Sequence, residues 1–283
     1  MKKILFPTDF SPTANNAFVY ALAMANKINA EIIAVHVYNM PDIKRMKKLP
    51  STLTEVYNDI EFEEFENFRD AIPVLREIAE KHNRTNIKMS HMLVKGESTP
   101  TIARIAHKED VDYVIMGTKG AGKLKEMVMG STTAGVIQKV RKIIISVPEE
   151  AVFDGLINDI VFLTNFKPED TKAINDLIDF ARPFPDFRIH CLHFDPPGKD
   201  PDGKAMQDWK SSLNVDYPHI SFNSIETDNS ASSLEDYCEE NNIDFVTLLP
   251  RKLTWIQKLL RTSFSLKMAH RLKVPLMTLS HYS

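Results

Sequence analysis

Apolar residues in the first half of the chain fall into short runs rich in β-branched side chains. They are Ile4 to Phe6, Glu31 to Tyr38, Ile87 to Val94, Tyr113 to Gly117 and Lys142 to Val147. None shows a clean polar alternation, which predicts strands covered on both faces. Between them the pattern turns helical. Ser11 stands before Pro12 as a helix cap, and Ser98-Thr99-Pro100 repeats that logic ahead of Ile102 to Ala106. Alternating strands and helices predict a parallel sheet with helices on both faces, an α/β fold. A longer segment, Met40 to Asn86, separates the second and third runs. It ends in a predicted helix over Phe68 to His82, and Asp59 to Glu66 reads as an amphipathic helix with a solvated acidic face.

The chain then repeats itself. Lys3 to Phe10 returns as Asp159 to Phe166, and Ile32 to Val37 as Ile189 to Phe194. Val111 to Met116 returns as Ile243 to Leu248, and Lys142 to Val147 as Val274 to Leu279. Four matches in one order indicate an internal duplication with its junction around Pro148 to Asn158. A length of 283 residues suits two domains better than one core, with boundaries expected at 1–150 and 151–283.

Composition narrows the class without naming a chemistry. Apolar residues at 43% and charged residues at 26% fit a globular chain and exclude a disordered one. A net charge of −3 gives no reason to expect nucleic acid or an anionic membrane. Lys2 and Lys3 precede only three apolar residues before Pro7, too few for a signal peptide. No run approaches the roughly 18 apolar residues of a membrane span. Cys191 and Cys238 lack metal-ligand spacing and suggest no disulfide framework. The expectation is a reduced, cytoplasmic protein.

The richest segment runs from Gly117 through Gly120 to Gly130, Ser131 and Thr132, after one strand and before a helix. Glycines let backbone approach a ligand closely, and a helix start offers N–H groups and a positive dipole end to an anion. Taken alone, the same residues also fit a tight turn followed by an ordinary helix start. The segment is neither a P-loop nor the dinucleotide G-x-G-x-x-G. Lys119 and Lys123 could meet phosphate or simply be solvated. His36 and His193 sit mid-strand and read as satisfied core histidines.

Gly117, Gly120, Gly130 and Ser131 fit without a gap the G-x2-G-x9-G-[ST] signature of ATP-binding universal stress proteins, a family the chain resembles. The opening Ile4 to Ser11 and the strand Val35-His36-Val37 resemble that family too. The resemblance covers the first half throughout and the second more faintly. It implies flavodoxin-like (Rossmann-like) sheets of order 3-2-1-4-5, with a crevice at the switch point between strands 1 and 4. Pro7-Thr8-Asp9 and the Gly117 segment would bound that crevice. By the same resemblance, Asp9 would meet base or ribose and Val37 would present backbone to the adenine. Met116 and Gly117 would line the way to the phosphates, held by Gly130, Ser131 and Thr132. Mg²⁺ could accompany the nucleotide. Asp9 also fits local capping of the Ser11 helix.

The second copy departs from the signature. Leu249 stands at Gly117, Lys252 at Gly120, Thr262 at Gly130 and Phe264 at Thr132; only Ser263 keeps its type, opposite Ser131. Asn165 replaces Asp9, Leu163 replaces Pro7, and Pro250 stiffens the loop. Family members dimerise through their last strands, so the resemblance implies that Ile143 to Val147 pairs with Leu276 to Leu279 inside one chain. A homodimer of two such chains stays open. The reading is a nucleotide-binding stress or regulatory protein, with Glu126 and lysines too little for a dedicated catalytic base. The alternative is a nucleotide-independent interaction scaffold; a flavoprotein-type or pyrophosphatase-type enzyme fits the nine-residue spacer less well.

Overall fold

The computed structural model describes residues 1–40, 53–119, 129–198, 203–213, 219–249 and 273–280. In the first half, strands β1 (Lys2–Pro7), β2 (Ala30–Tyr38), β3 (Met89–Lys95), β4 (Tyr113–Gly117) and β5 (Ile143–Val147) alternate with helices. These are α1 (Pro12–Ile28), α2 (Leu53–Lys81), α3 (Ser98–Lys108) and α4 (Ser131–Lys139). The second half contributes β6 (Asp159–Leu163), β7 (Arg188–Asp195), β8 (Ile220–Glu226), β9 (Phe245–Leu248) and β10 (Leu276–Thr278). Its helices are α5 (Pro168–Ala181), α6 (Lys204–Ser212) and α7 (Ser230–Glu240).

All ten strands join one sheet in the order β3-β2-β1-β4-β5-β10-β9-β6-β7-β8. Every pairing within a half is parallel, and the order within each half is third, second, first, fourth, fifth. The halves meet where β5 and β10 run antiparallel, with Ser146 opposite Leu276, Ile145 opposite Met277 and Ile144 opposite Thr278. The sequence repeat makes Ile145 the counterpart of Met277, and Ser146 that of Thr278. Each strand therefore faces its own copy, and a pseudo-two-fold axis passes through the Ile145–Met277 pair. This is the isologous contact of a symmetric dimer, made within one chain.

Two apolar layers run across that seam. One face carries Ile145 and Met277, both fully buried, with Phe6 against Phe18 at 5.0 Å. Tyr20 of α1 reaches Phe245 of β9 at 6.2 Å, and Tyr113 of β4 reaches Phe180 of α5 at 6.0 Å, so each half packs an aromatic ring on the other. The other face holds Ile102, Ile105, Val136 and Ile137 under α3 and α4, and Leu234 under α7. Each such fully buried side chain contributes about 1.5–3 kcal/mol.

Local chemistry sets the helix starts. The Ser11 side chain accepts from the Ala14 N–H at 3.2 Å, and Pro12 occupies the first turn, where its missing N–H costs nothing. Ser11→Ala is expected to lower stability by about 1 kcal/mol in urea denaturation. α3 departs from the expected cap: Glu97 is its N-cap, and Ser98 is already helical. Pro100 still falls within the first turn, which explains the tolerance. α2 joins the two expected helical segments into one helix that runs through Pro73. Phe62 and Phe65 lie exposed on it among acidic residues. β3 begins at Met89 rather than Ile87, whose N–H instead closes a turn onto the Arg84 carbonyl.

Candidate functional site

The loop from β1 to α1 is held by its own backbone. The Thr8 N–H donates to the Val35 carbonyl at 2.9 Å, carrying the ladder one residue past the strand. Phe10 takes the left-handed conformation at φ 58°, and its N–H donates to Thr8 Oγ1 at 3.0 Å. Asp9 Oδ1 accepts from the Ser11 N–H at 3.1 Å, which is the local capping its sequence position allowed. His36 Nδ1 donates to the Thr8 carbonyl at 2.8 Å, so this half-buried histidine pins the loop from β2.

The loop after β4 leaves and returns at one place. The Thr118 N–H donates to the Val147 carbonyl at 2.9 Å, and the Gly130 N–H comes back to the Thr118 carbonyl at 2.6 Å. Thr133 Oγ1 then donates to the Gly117 carbonyl at 2.9 Å, fixing α4 to the end of β4. A Cβ on Gly117 would lie 3.0 Å from Thr13 Cγ2 and 3.2 Å from the Ala14 backbone nitrogen. A side chain there would press on Thr13 and the α1 backbone, because β4 and α1 approach so closely. Gly130 is the N-cap of α4 in an extended conformation and offers no side-chain acceptor to the helix's first N–H groups.

These loops enclose a crevice of about 340 Å³. Pro7, Thr8, Asp9, Val37, Met116, Gly117, Gly130, Ser131 and Thr132 all line it, nine of the ten residues expected from sequence. The tenth, Gly120, lies outside the described residues, as do Lys123 and Glu126. Ala14, Val35, Ser98, Ile102, Lys119 and Thr133 complete the lining. Val35, Val37, Ile102 and Met116 make an apolar slot on one side. Ser131, Thr132 and Lys119 gather at the start of α4 on the other, where the helix dipole favours negative charge. An apolar ring carrying an anionic tail matches that division. Ser98 and Ile102 were missed because nothing local to α3 says that its first turns reach across to β4. Ala14 carried a usable signal, a small residue one turn inside a capped helix.

The second half reproduces the first loop and alters the crevice. Phe166 repeats the left-handed backbone at φ 56°, its N–H bonds Thr164 Oγ1 at 2.9 Å, and His193 Nδ1 donates to the Thr164 carbonyl at 2.7 Å. The crevice positions, however, have grown. Leu249 replaces Gly117, Phe194 replaces Val37, and Asp170 replaces Ala14. Asp170 is fully buried and accepts from Thr164 Oγ1 at 2.8 Å and from the Asn165 and Lys167 N–H groups. A carboxylate there repels an anionic ligand. Pro250, Lys252, Thr262, Ser263 and Phe264 lie outside the described residues.

Other chemistry is sparse among the described residues. No group of three or more His, Cys, Asp or Glu side chains there could hold a metal ion. Both cysteines are unpaired and buried; burial pushes the Cys238 thiol up to about 12 and raises that of Cys191 as well, leaving both protonated and unreactive. No described helix is long and apolar enough to cross a membrane.

Comparison with known proteins places this geometry in a family. Residues 1–147 match the model of the universal stress protein family. A universal stress protein of Methanocaldococcus jannaschii is 34% identical over 147 residues, spanning 50% of this chain and 91% of its own length. A second from the same organism is 28% identical over 138 residues, spanning 48% and 76%. The crystal structure of a universal stress protein from Archaeoglobus fulgidus overlays 99% of this chain on 96% of its own, with a TM-score of 0.71 and 19% identity, a likeness of fold across both halves. The chain belongs to the universal stress protein family.

Proposed function

We propose that the first half, residues 1–150, binds an adenine nucleotide, ATP, in the crevice between β1, β4 and α4, and that occupancy regulates the protein's conformation or contacts. The observation that carries this reading is the meeting of an apolar slot and an uncapped helix start in one crevice. The adenine would lie against Val35, Val37 and Met116, with Asp9 toward the base or ribose. Gly130, Ser131 and Thr132 would donate to the phosphates, and Gly120 would add backbone to the same cradle. Mg²⁺ would be held through the phosphates. Asp9 is the carboxylate among the lining residues and already accepts from the Ser11 backbone, so hydrolysis has no dedicated base in this reading.

The second half, residues 151–283, serves in this proposal as the built-in pairing partner. Leu249, Phe194 and Asp170 support that reading, because each adds bulk or negative charge where the first half is open. Isothermal titration of ligand-stripped protein with ATP and Mg²⁺ is expected to give one site per chain. Two sites would overturn the assignment of the second half. No binding up to millimolar ATP would overturn the nucleotide reading and favour an interaction scaffold.

A further inference from the structure

At the opposite end of the sheet from the crevice, a second cavity of about 340 Å³ opens between the last turns of α2 and the start of the edge strand β3. Its floor is apolar, made by Ile72, Ala79, Ile87 and Met89. Its rim is cationic: Arg76 and Arg84 flank the opening beside His91. Glu80 also lines it, so two guanidinium groups stand against one carboxylate. The side chains of Arg76, Glu80 and His91 are exposed and make no hydrogen bond or ion pair among the described residues. Partial burial first, and then the Arg76 charge, hold the His91 imidazole below its ordinary pKa.

The second half differs at the corresponding strand. The strand registers make Phe222 the counterpart of His91. Trp209 of α6 lies on Phe222 at 5.8 Å between ring centres and is itself buried. An aromatic ring thus stands in the second half at the position that His91 takes in the first.

We propose that this cavity is a second ligand site, separate from the nucleotide crevice, for a small organic carboxylate with an apolar body. The body would lie on the apolar floor of Ile72, Ala79, Ile87 and Met89, and the carboxylate would pair with Arg76 and Arg84, whose planar guanidinium groups suit bidentate recognition. Two guanidinium groups over an apolar floor are the complement of such an amphiphile, and Arg84 Nη1 already donates to the Asn83 carbonyl at 3.2 Å beside the opening.

Octanoate is the probe, with octanol as its uncharged counterpart, read by NMR of the His91 ring and the Met89 methyl group in the full chain. Octanoate is expected to shift both signals saturably, with or without saturating ATP, while octanol leaves the His91 signal in place. The Arg76→Gln, Arg84→Gln double variant is expected to bind octanoate at least about tenfold more weakly. Its β3 amide spectrum, unchanged elsewhere, checks that it folds. Equal response to octanol, shifts confined to Met116 in the crevice, or octanoate affinity untouched by the double substitution would each overturn the site.

Discussion

Replacing Gly130 with aspartate is expected to remove nucleotide binding while leaving the protein at least as stable as before. The two effects have opposite origins at one atom. Gly130 is the N-cap of α4 at φ −62° and ψ 151°, a conformation open to any residue, and it brings no acceptor to the helix's first N–H groups. Aspartate is among the preferred N-cap residues, and its charge suits the positive end of the dipole, so stability should stay level or rise by about 0.5 kcal/mol. The same carboxylate would occupy the place proposed for phosphate. Like charges brought together at a binding surface cost several kcal/mol, which corresponds to a loss of affinity on the order of 100-fold or more. Gly130→Ser, a cap without charge, should retain most of the affinity. Calorimetric titration with ATP beside thermal melting of each variant reads both effects. An aspartate variant that binds ATP normally would remove the α4 start from the proposed site.

Ile145→Asp and Met277→Asp should each destabilise the chain by about 4 kcal/mol or more, and by nearly equal amounts. Both side chains are fully buried on the same layer at the pseudo-two-fold axis. Each substitution removes an apolar contribution of about 1.5–3 kcal/mol and leaves an unpaired charge in its place. The equality is the sharper part of the expectation, because it follows from the axis rather than from burial. Urea denaturation of the two variants would test it. A severe loss for Ile145→Asp beside a mild one for Met277→Asp would show that β10 does not close the sheet in solution.

Much of this fold could be read along the chain because its strands announce themselves locally. Ile4 to Phe6 and Tyr113 to Gly117 are apolar on every residue, and a strand covered on both faces has no other composition available. The Ser11-Pro12 start is equally local. The pairing of β5 with β10 was expected from family resemblance, and the antiparallel register agrees with it. What escaped the sequence was tertiary. Glu97 rather than Ser98 caps α3, and the first turns of that helix reach the crevice through the folding of two distant segments. Asp59 to Glu66 and Phe68 to His82 read as separate helical segments, yet one helix, α2, spans both and runs through Pro73. The Asp170 carboxylate in the second crevice was invisible until Ala14 was seen to line the first. The mid-strand histidines, read as satisfied core residues, are satisfied but only half-buried: His36 and His193 each donate to a threonine carbonyl and hold a loop in shape.

The seam between β5 and β10 also has a consequence in time. The ribosome finishes Val147 long before it reaches Leu276, and at about 5–20 residues per second the interval is roughly 6 to 26 seconds. Throughout it, the first half can fold while β5, with three consecutive isoleucines, stays at the edge of an unfinished sheet. Such an edge accepts any strand of suitable pattern, and the best match nearby is the same β5 on another growing chain. The order of synthesis thus leaves β5 uncovered for that interval, and chains translated from one message are the first partners it can meet.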